Sequence, residues 1–161
     1  MLTYKPENLK EQFPELERLE DLTIIPMFEI AFYRWLNQIP QEGIVTDIVK
    51  ERSDSFSPRT TYNCVVDGKI VKINSLDFDI DVCDEDEMIY MVGEISFDGN
   101  DKATKKLLNS FRVFVGKQNL SDLVKDSANK LKKEKTYHLT HEMCDFYLDR
   151  AFTQAGFRHK D

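Results

Sequence analysis

The chain has 161 residues, of which 41% are hydrophobic and 11% aromatic, and this is enough apolar material for the core of one domain. The formal net charge is −7, and no apolar run is long enough to cross a bilayer. Three cysteines without a CxxC pair indicate buried thiols in a reducing compartment rather than a disulfide scaffold. We therefore expect a single domain over residues 1–161, located in the cytoplasm, with no membrane segment and no cofactor.

The first elements in chain order are predicted to be helices. Residues 6–21 predict one or two short helices, because Pro14 interrupts any longer one. Residues 26–39 carry apolar side chains at spacings of three and four, which predicts a helix at the centre of the core. Pro26 is expected at the first position of that helix, and "PQEG" at 40–43 is expected to end it.

Residues 44–97 predict an antiparallel sheet. A first strand, "GIVTDIVKER", is followed by the hairpin "TTYNCVV-DG-KIVKI". Asp67 and Gly68 form the two-residue turn of this hairpin, because both residues tolerate a positive φ. The segment "LDFDIDV" at 76–82 is expected as a further strand, and "MIYMVGEISF" at 88–97 as the most buried one.

The C-terminal part of the chain predicts helices again. Residues 102–111 are expected as a short helix, and residues 112–116 as a further strand. Residues 119–135 have an amphipathic pattern typical of a helix, and a second helix is predicted from Thr140, a suitable N-cap, to Gly156. This order predicts an α+β fold: an antiparallel sheet of roughly four to six strands, with N-terminal helices and two C-terminal helices packed on one face.

One predicted strand carries a row of acids. Asp77, Asp79 and Asp81 occupy alternate positions, so in a strand their side chains share one face at a spacing of about 6.6 Å. The hydrophobic residues between them would face the core, which leaves the acids in water. The run "CDEDE" at 83–87 extends the charge beyond the strand end. The candidate partner-binding residues are therefore Asp77, Asp79, Asp81, Asp84, Glu85, Asp86 and Glu87.

This acidic row has several interpretations, of which the plainest is a solvated sheet face. It can dock a basic protein, since a ladder of carboxylates imitates the charge of a nucleic-acid backbone. It can also hold divalent metal ions, and the DxD of Asp77 and Asp79 resembles the nucleotidyltransferase pattern. That family has a Gly-Ser pair upstream, which the segment "KINS" does not supply. Calcium binding is disfavoured, because the row lacks the glycine and the spacing of an EF-hand loop.

A second candidate metal site is the segment "HLTHEMC". It places His138, His141 and Cys144 at three-residue intervals, close enough on a helix to share an ion. However, Thr140 as the helix cap leaves His138 outside the helix, and the sequence holds no second cluster that would close a zinc site. No metal site is therefore predicted.

Charge is distributed unevenly along the chain. Residues 1–101 hold 9 Lys or Arg against 22 Asp or Glu, a net charge of −13, and residues 102–161 hold 13 against 7, a net charge of +6. The two parts either form a dipolar surface or interleave in space and neutralise each other. The basic stretches at 102–106, 129–135 and 157–160 could bind nucleic acid, although the overall negative charge opposes this.

The sequence therefore predicts a small acidic protein-binding module rather than an enzyme. Its expected role is that of an inhibitor or immunity-type protein that blocks a basic nucleic-acid-handling partner or toxin. One alternative is a metal-dependent phosphoesterase or nucleotidyl-transfer enzyme that uses Asp77 and Asp79. A second is a nucleic-acid-binding protein that uses the basic C-terminal half, and a homodimer of opposed charge halves is a further arrangement to test.

Overall fold

The computed structural model describes residues 1–19, 21–53, 59–81 and 88–133, and the side chains of these residues except at 21–22, 53, 77–81, 88–92 and 131–133. The strands and helices, in chain order, are β1 (Leu2–Tyr4), α1 (Pro6–Gln12), α2 (Asp21–Gln38), β2 (Val45–Ser53), β3 (Arg59–Val66), β4 (Lys69–Asp81), β5 (Met88–Phe97), α3 (Lys102–Gly116) and α4 (Leu120–Lys133). Short 3-10 turns at Pro14–Arg18 and Ile39–Glu42 precede and follow α2.

The five strands form one antiparallel sheet in the order β1-β5-β4-β3-β2. The four strands from β2 to β5 follow one another as a meander, and β1 joins the outer edge of β5. The turn between β3 and β4 has Asp67 at φ 51° and Gly68 at φ 76°, as a type I′ turn requires. The predicted α+β class and the predicted hairpin turn are both confirmed.

The helices cover one face of the sheet. In β3, buried residues such as Thr60, Tyr62 and Cys64 alternate with residues that are partly buried or exposed. One continuous hydrophobic core joins the covered face to residues of all four helices. The other face carries exposed hydrophobic side chains, with Val49 at 51% exposure and Ile70 at 67%.

The helix α2 lies at the centre of this core, as its apolar spacing predicts. Phe32 contacts Tyr62 of β3 with ring centroids 5.7 Å apart, and Trp35 contacts Phe97 of β5 at 6.2 Å. On the helix side of the core, the indole N–H of Trp35 donates to Ser110 Oγ of α3 at 3.0 Å. Because neighbouring elements surround α2, it is apolar around most of its circumference rather than along one stripe.

Two predictions about helices are wrong in detail. Pro26 lies inside α2, which begins earlier at Asp21, so the proline is not at the first helical position. Residues 112–116 belong to α3 and not to a strand. Phe111 and Val115 are both buried four residues apart, so the helical period of the core contacts prevails over the strand propensity of "RVFV".

The sheet also differs from the prediction at two strands. The segment 76–82 was expected as a strand of its own, but β4 runs without a break from Lys69 to Asp81. The three-residue strand β1 has no counterpart in the prediction, because three residues are too few to show a period of two. The predicted helix from Thr140 to Gly156 lies outside the described residues.

Candidate functional site

The acidic row lies at the far end of β4. The backbones of Asp77, Asp79 and Asp81 pair with Val92, Tyr90 and Met88 of β5 in an antiparallel ladder. The predicted strand conformation of these three residues is therefore present. The direction of their side chains stays a prediction, because the description of 77–81 and 88–92 is limited to the backbone.

This end of β4 extends, together with β5, beyond the described pairings with β3 and β1. The pairing of β3 with β4 ends where Arg59 lies opposite Leu76, and the pairing of β1 with β5 ends at Ile95. Within the part of the chain that the structure describes, residues 77–81 of β4 therefore pair with β5 alone. The result is a two-stranded ribbon, formed by 77–81 and 88–92, about 17 Å long at a strand rise of about 3.4 Å per residue.

A β-bulge marks the base of this ribbon. Leu76 lies opposite Glu94, whereas the next residue, Asp77, lies opposite Val92, so Gly93 is the extra residue on β5. A bulge bends the strand that contains it and increases the local twist. The ribbon therefore leaves the five-stranded part of the sheet at a bend.

Glu94 is the described acid nearest the row. Its side chain is 32% exposed, and its Oε2 lies 3.8 Å from Nζ of Lys5. Its Oε1 accepts a hydrogen bond from Ser96 Oγ at 3.4 Å. Glu94 thus lies on the strand next to the row, and part of its charge is balanced by a lysine at the base of the ribbon.

The other candidate residues lie outside the described residues. This holds for the acidic run Asp84, Glu85, Asp86 and Glu87, and for the segment with His138, His141 and Cys144. The interpretation of the first as an extension of the acidic row stays a prediction. Among the side chains that the structure does describe, no group of three or more His, Cys, Asp or Glu could hold a metal ion.

Lysines of the basic half approach acids of the acidic half at two places. Lys106 Nζ lies 3.3 Å from Asp67 Oδ2 at the surface, and Lys130 Nζ lies 2.8 Å from Glu29 Oε1 between α4 and α2. Both contacts join one half of the chain to the other. For these two lysines the charges interleave, which favours neutralisation over a dipolar surface.

The described cysteine is not an activated nucleophile. Burial raises the pKa of the Cys64 thiol from 9.0 to about 12, because its thiolate would be poorly solvated. Cys64 is fully buried on the covered face of β3. The expectation of a plain buried thiol is therefore confirmed for Cys64.

The uncovered sheet face was not singled out from the sequence. Its exposed hydrophobic residues, Val49 and Ile70, belong to strands whose apolar residues occupy both faces. In "KIVKI" the residues Ile70, Val71 and Ile73 are all apolar, so alternation alone does not show which of them is exposed. The register with β3 decides this, because Ile70 lies opposite Val65 on the uncovered face.

Comparisons with models of protein families, with curated proteins and with solved structures found no match to this chain. The helices formed by the described residues include none with both the length and the apolar character needed to span a membrane. Function is therefore argued from the geometry of the chain alone.

Proposed function

We propose that this protein is a binding module whose acidic β4–β5 ribbon docks onto a basic surface of a partner protein. The partner that fits best is one that handles nucleic acid, since its functional surface is basic and selects regularly spaced negative charge. By occupying that surface the protein acts as an inhibitor or immunity-type protein and needs no catalytic step of its own.

One observation carries this proposal: the ribbon extends past β3 and β1 with three aspartates at alternate positions of one strand. A strand that projects from its sheet can approach a partner without interference from the helices on the covered face. Like charges in a row repel one another and add nothing to stability, so a role in recognition explains why Asp77, Asp79 and Asp81 stand together.

The charges of the ribbon act at two stages of binding. At long range they steer a basic partner and raise the association rate, an effect that salt weakens. In the complex, carboxylates that are desolvated against arginine or lysine fix the orientation of the partner. The acidic run at 83–87 adds to the first stage through its charge.

The test is a charge reversal of the row. The variant Asp77→Lys/Asp79→Lys/Asp81→Lys is compared with wild type for binding to a panel of purified basic nucleases and nucleic-acid-binding proteins, at low and at physiological salt. We expect affinity for a panel member that binds wild type to fall by about tenfold or more, with the larger loss at low salt. Inhibition of the bound nuclease should fall in parallel.

A matched control separates position from net charge. The variant Glu7→Lys/Glu11→Lys/Glu15→Lys makes the same change of charge at exposed positions of α1 and the following turn. It should keep most of the affinity, because none of those residues belongs to the ribbon. Equal affinity of the ribbon variant and wild type, or no binding to any basic partner, would overturn the proposal.

Two further measurements detect the alternatives. A Tm that rises with the concentration of magnesium or manganese would indicate a metal site. If the rise disappears in the variant Asp77→Asn/Asp79→Asn, a metal-dependent role for the row replaces docking. A mobility shift of nucleic acid that disappears on charge removal at 129–135 would instead place binding in the basic half.

A further inference from the structure

The helix α4 packs chiefly against α2, on the side of α2 that the sheet does not cover. Ser127 Oγ of α4 donates to the backbone oxygen of Thr23 at 3.3 Å. Lys130 Nζ lies 2.8 Å from Glu29 Oε1. Polar contacts therefore take part in joining α4 to α2.

A second ion pair lies along the same interface. A guanidinium nitrogen of Arg34 contacts Oδ2 of Asp126, and the two side chains are 40% and 38% exposed. In contrast, Glu29 and Lys130 have side-chain exposures of only 11% and 23%, so this pair is largely removed from water. Charged residues of α4 thus meet charged residues of α2 at two separate points.

The described side chains of α4 contribute fewer buried apolar groups to the core than those of α3. Leu123, Val124 and Ala128 are its buried hydrophobic side chains among those described, and Ala128 has only a methyl group. In α3, by comparison, Phe111 contacts the rings of Tyr4 and Trp35 at centroid distances of 4.8 and 5.0 Å. Among the described side chains, α3 is therefore held by a large aromatic ring as well as aliphatic groups, whereas the apolar contacts of α4 are aliphatic and include Leu120, which is only partly buried.

These contacts determine what is lost when each helix detaches. Apolar groups that leave the core become exposed to water and gain nothing in return. Buried charges such as Glu29 and Lys130 regain their hydration, which offsets part of the ion-pair energy that is lost. Detaching α4 is therefore much less costly than detaching α3.

We propose that α4 is a charge-latched outer helix, which opens as a unit while the sheet, α2 and α3 stay folded. The latch consists of the pairs Glu29–Lys130 and Arg34–Asp126 together with the Ser127–Thr23 hydrogen bond. Opening separates Lys130 from Glu29 and Asp126 from Arg34, and so it redistributes the charge of the protein without unfolding the core. This inference does not depend on the function proposed for the ribbon.

Hydrogen exchange of the full chain, resolved by segment, tests the proposal. We expect the amides of α4 to exchange at least about tenfold faster than those of α2 and α3 under native conditions. Raising the salt concentration should increase the ratio of α4 to α3 exchange, because the exposed Arg34–Asp126 pair is screened.

Variants of the latch make the test specific. In Lys130→Met, Glu29 loses the Nζ at 2.8 Å, and α4 exchange should rise by about tenfold while α3 exchange changes by less than about twofold. The apolar pair Glu29→Leu/Lys130→Met should return α4 exchange towards or below that of wild type. The control Lys106→Met removes a lysine from the exposed pair with Asp67 and should leave α4 exchange unchanged.

Several results would overturn the proposal. Equal exchange in α2, α3 and α4 would mean that α4 opens only when the whole protein unfolds. A ratio of α4 to α3 exchange that responds neither to salt nor to Lys130→Met would show that the ion pairs do not hold the helix. Should Lys130→Met fail to fold, the salt series on wild type and the apolar pair decide the question by the same ratio.

Discussion

The two C-terminal helices have nearly the same length but are attached to the fold in different ways. The 15 residues of α3 contribute a row of fully buried side chains, including Leu107, Phe111 and Val115, to the central core. The 14 residues of α4 contribute aliphatic groups and meet α2 through two ion pairs. An amphipathic pattern therefore predicts a helix but does not predict how strongly that helix is attached to the core.

The largest effect is expected for the aromatic core of α3. Phe111 is fully buried and its ring contacts Tyr4, Phe28, Phe32 and Trp35. Phe111→Ala leaves a cavity among these rings and should lower the free energy of unfolding by about 3–5 kcal/mol. Chemical denaturation measures the loss, and it should raise exchange alike in the sheet, α2 and α3, which open only with the whole core. A loss confined to α3 would contradict the description of α3 as part of the global core.

The sequence predicts α4 and α3 unequally well for a physical reason. The spacing of Leu120, Leu123, Val124 and Ala128 indicates a helix without reference to anything else. In contrast, the local sequence at the end of α3 favours a strand, and its packing against α1, α2, β1 and β4 favours the helix. The conformation of an element that depends on tertiary contacts is not predicted from its local sequence.

The same limit applies to the candidate site. Alternation of the aspartates predicts their strand, and the structure confirms the strand conformation of 77–81. The extension of the ribbon beyond β3 depends on where the pairing of Arg59 with Leu76 ends, and the bend depends on Gly93 as the extra residue. Register and bulges arise from pairing between strands, so the sequence of one strand alone does not predict them.

A smaller effect is expected at the interface of α4 with α2. Ser127 is 4% exposed, and its hydroxyl donates to the backbone oxygen of Thr23 at 3.3 Å, in the turn of α2 before Pro26. Ser127→Ala removes one hydrogen bond and should lower stability by about 1 kcal/mol. Segment-resolved exchange should place the change in α4 and leave α3 unaffected. Ser110→Ala, which removes the acceptor of the Trp35 indole N–H, is the matched control and should change exchange in α3.

The smallest effect on stability is expected at the N-terminal caps of the two helices. At α3, Asp101 accepts from the backbone N–H of Thr104 at 2.9 Å, whereas at α4 the acceptor for the N–H of Asp122 is Oδ1 of Asn119 at 3.1 Å. Hydrogen bonds from the Thr104 side chain and backbone lower the pKa of the Asp101 carboxyl below 3.8. The cap of α3 therefore titrates, and the cap of α4 does not.

The direction of the pH effect follows from this shift. Because the folded state lowers the pKa of Asp101, its contribution to stability is present above the unfolded pKa of 3.8 and is lost as pH falls through the folded value. Asp101→Asn keeps an acceptor at the N-cap but cannot ionise, so its Tm should lie slightly below that of wild type near neutral pH. This difference in Tm between the variant and wild type should disappear as the pH falls below 3.8. Asn119→Asp, as the reciprocal change, should give α4 an ionisable cap in place of a neutral one. A difference in Tm for Asp101→Asn that stays constant with pH would show that the Thr104 hydrogen bonds do not favour the ionised cap.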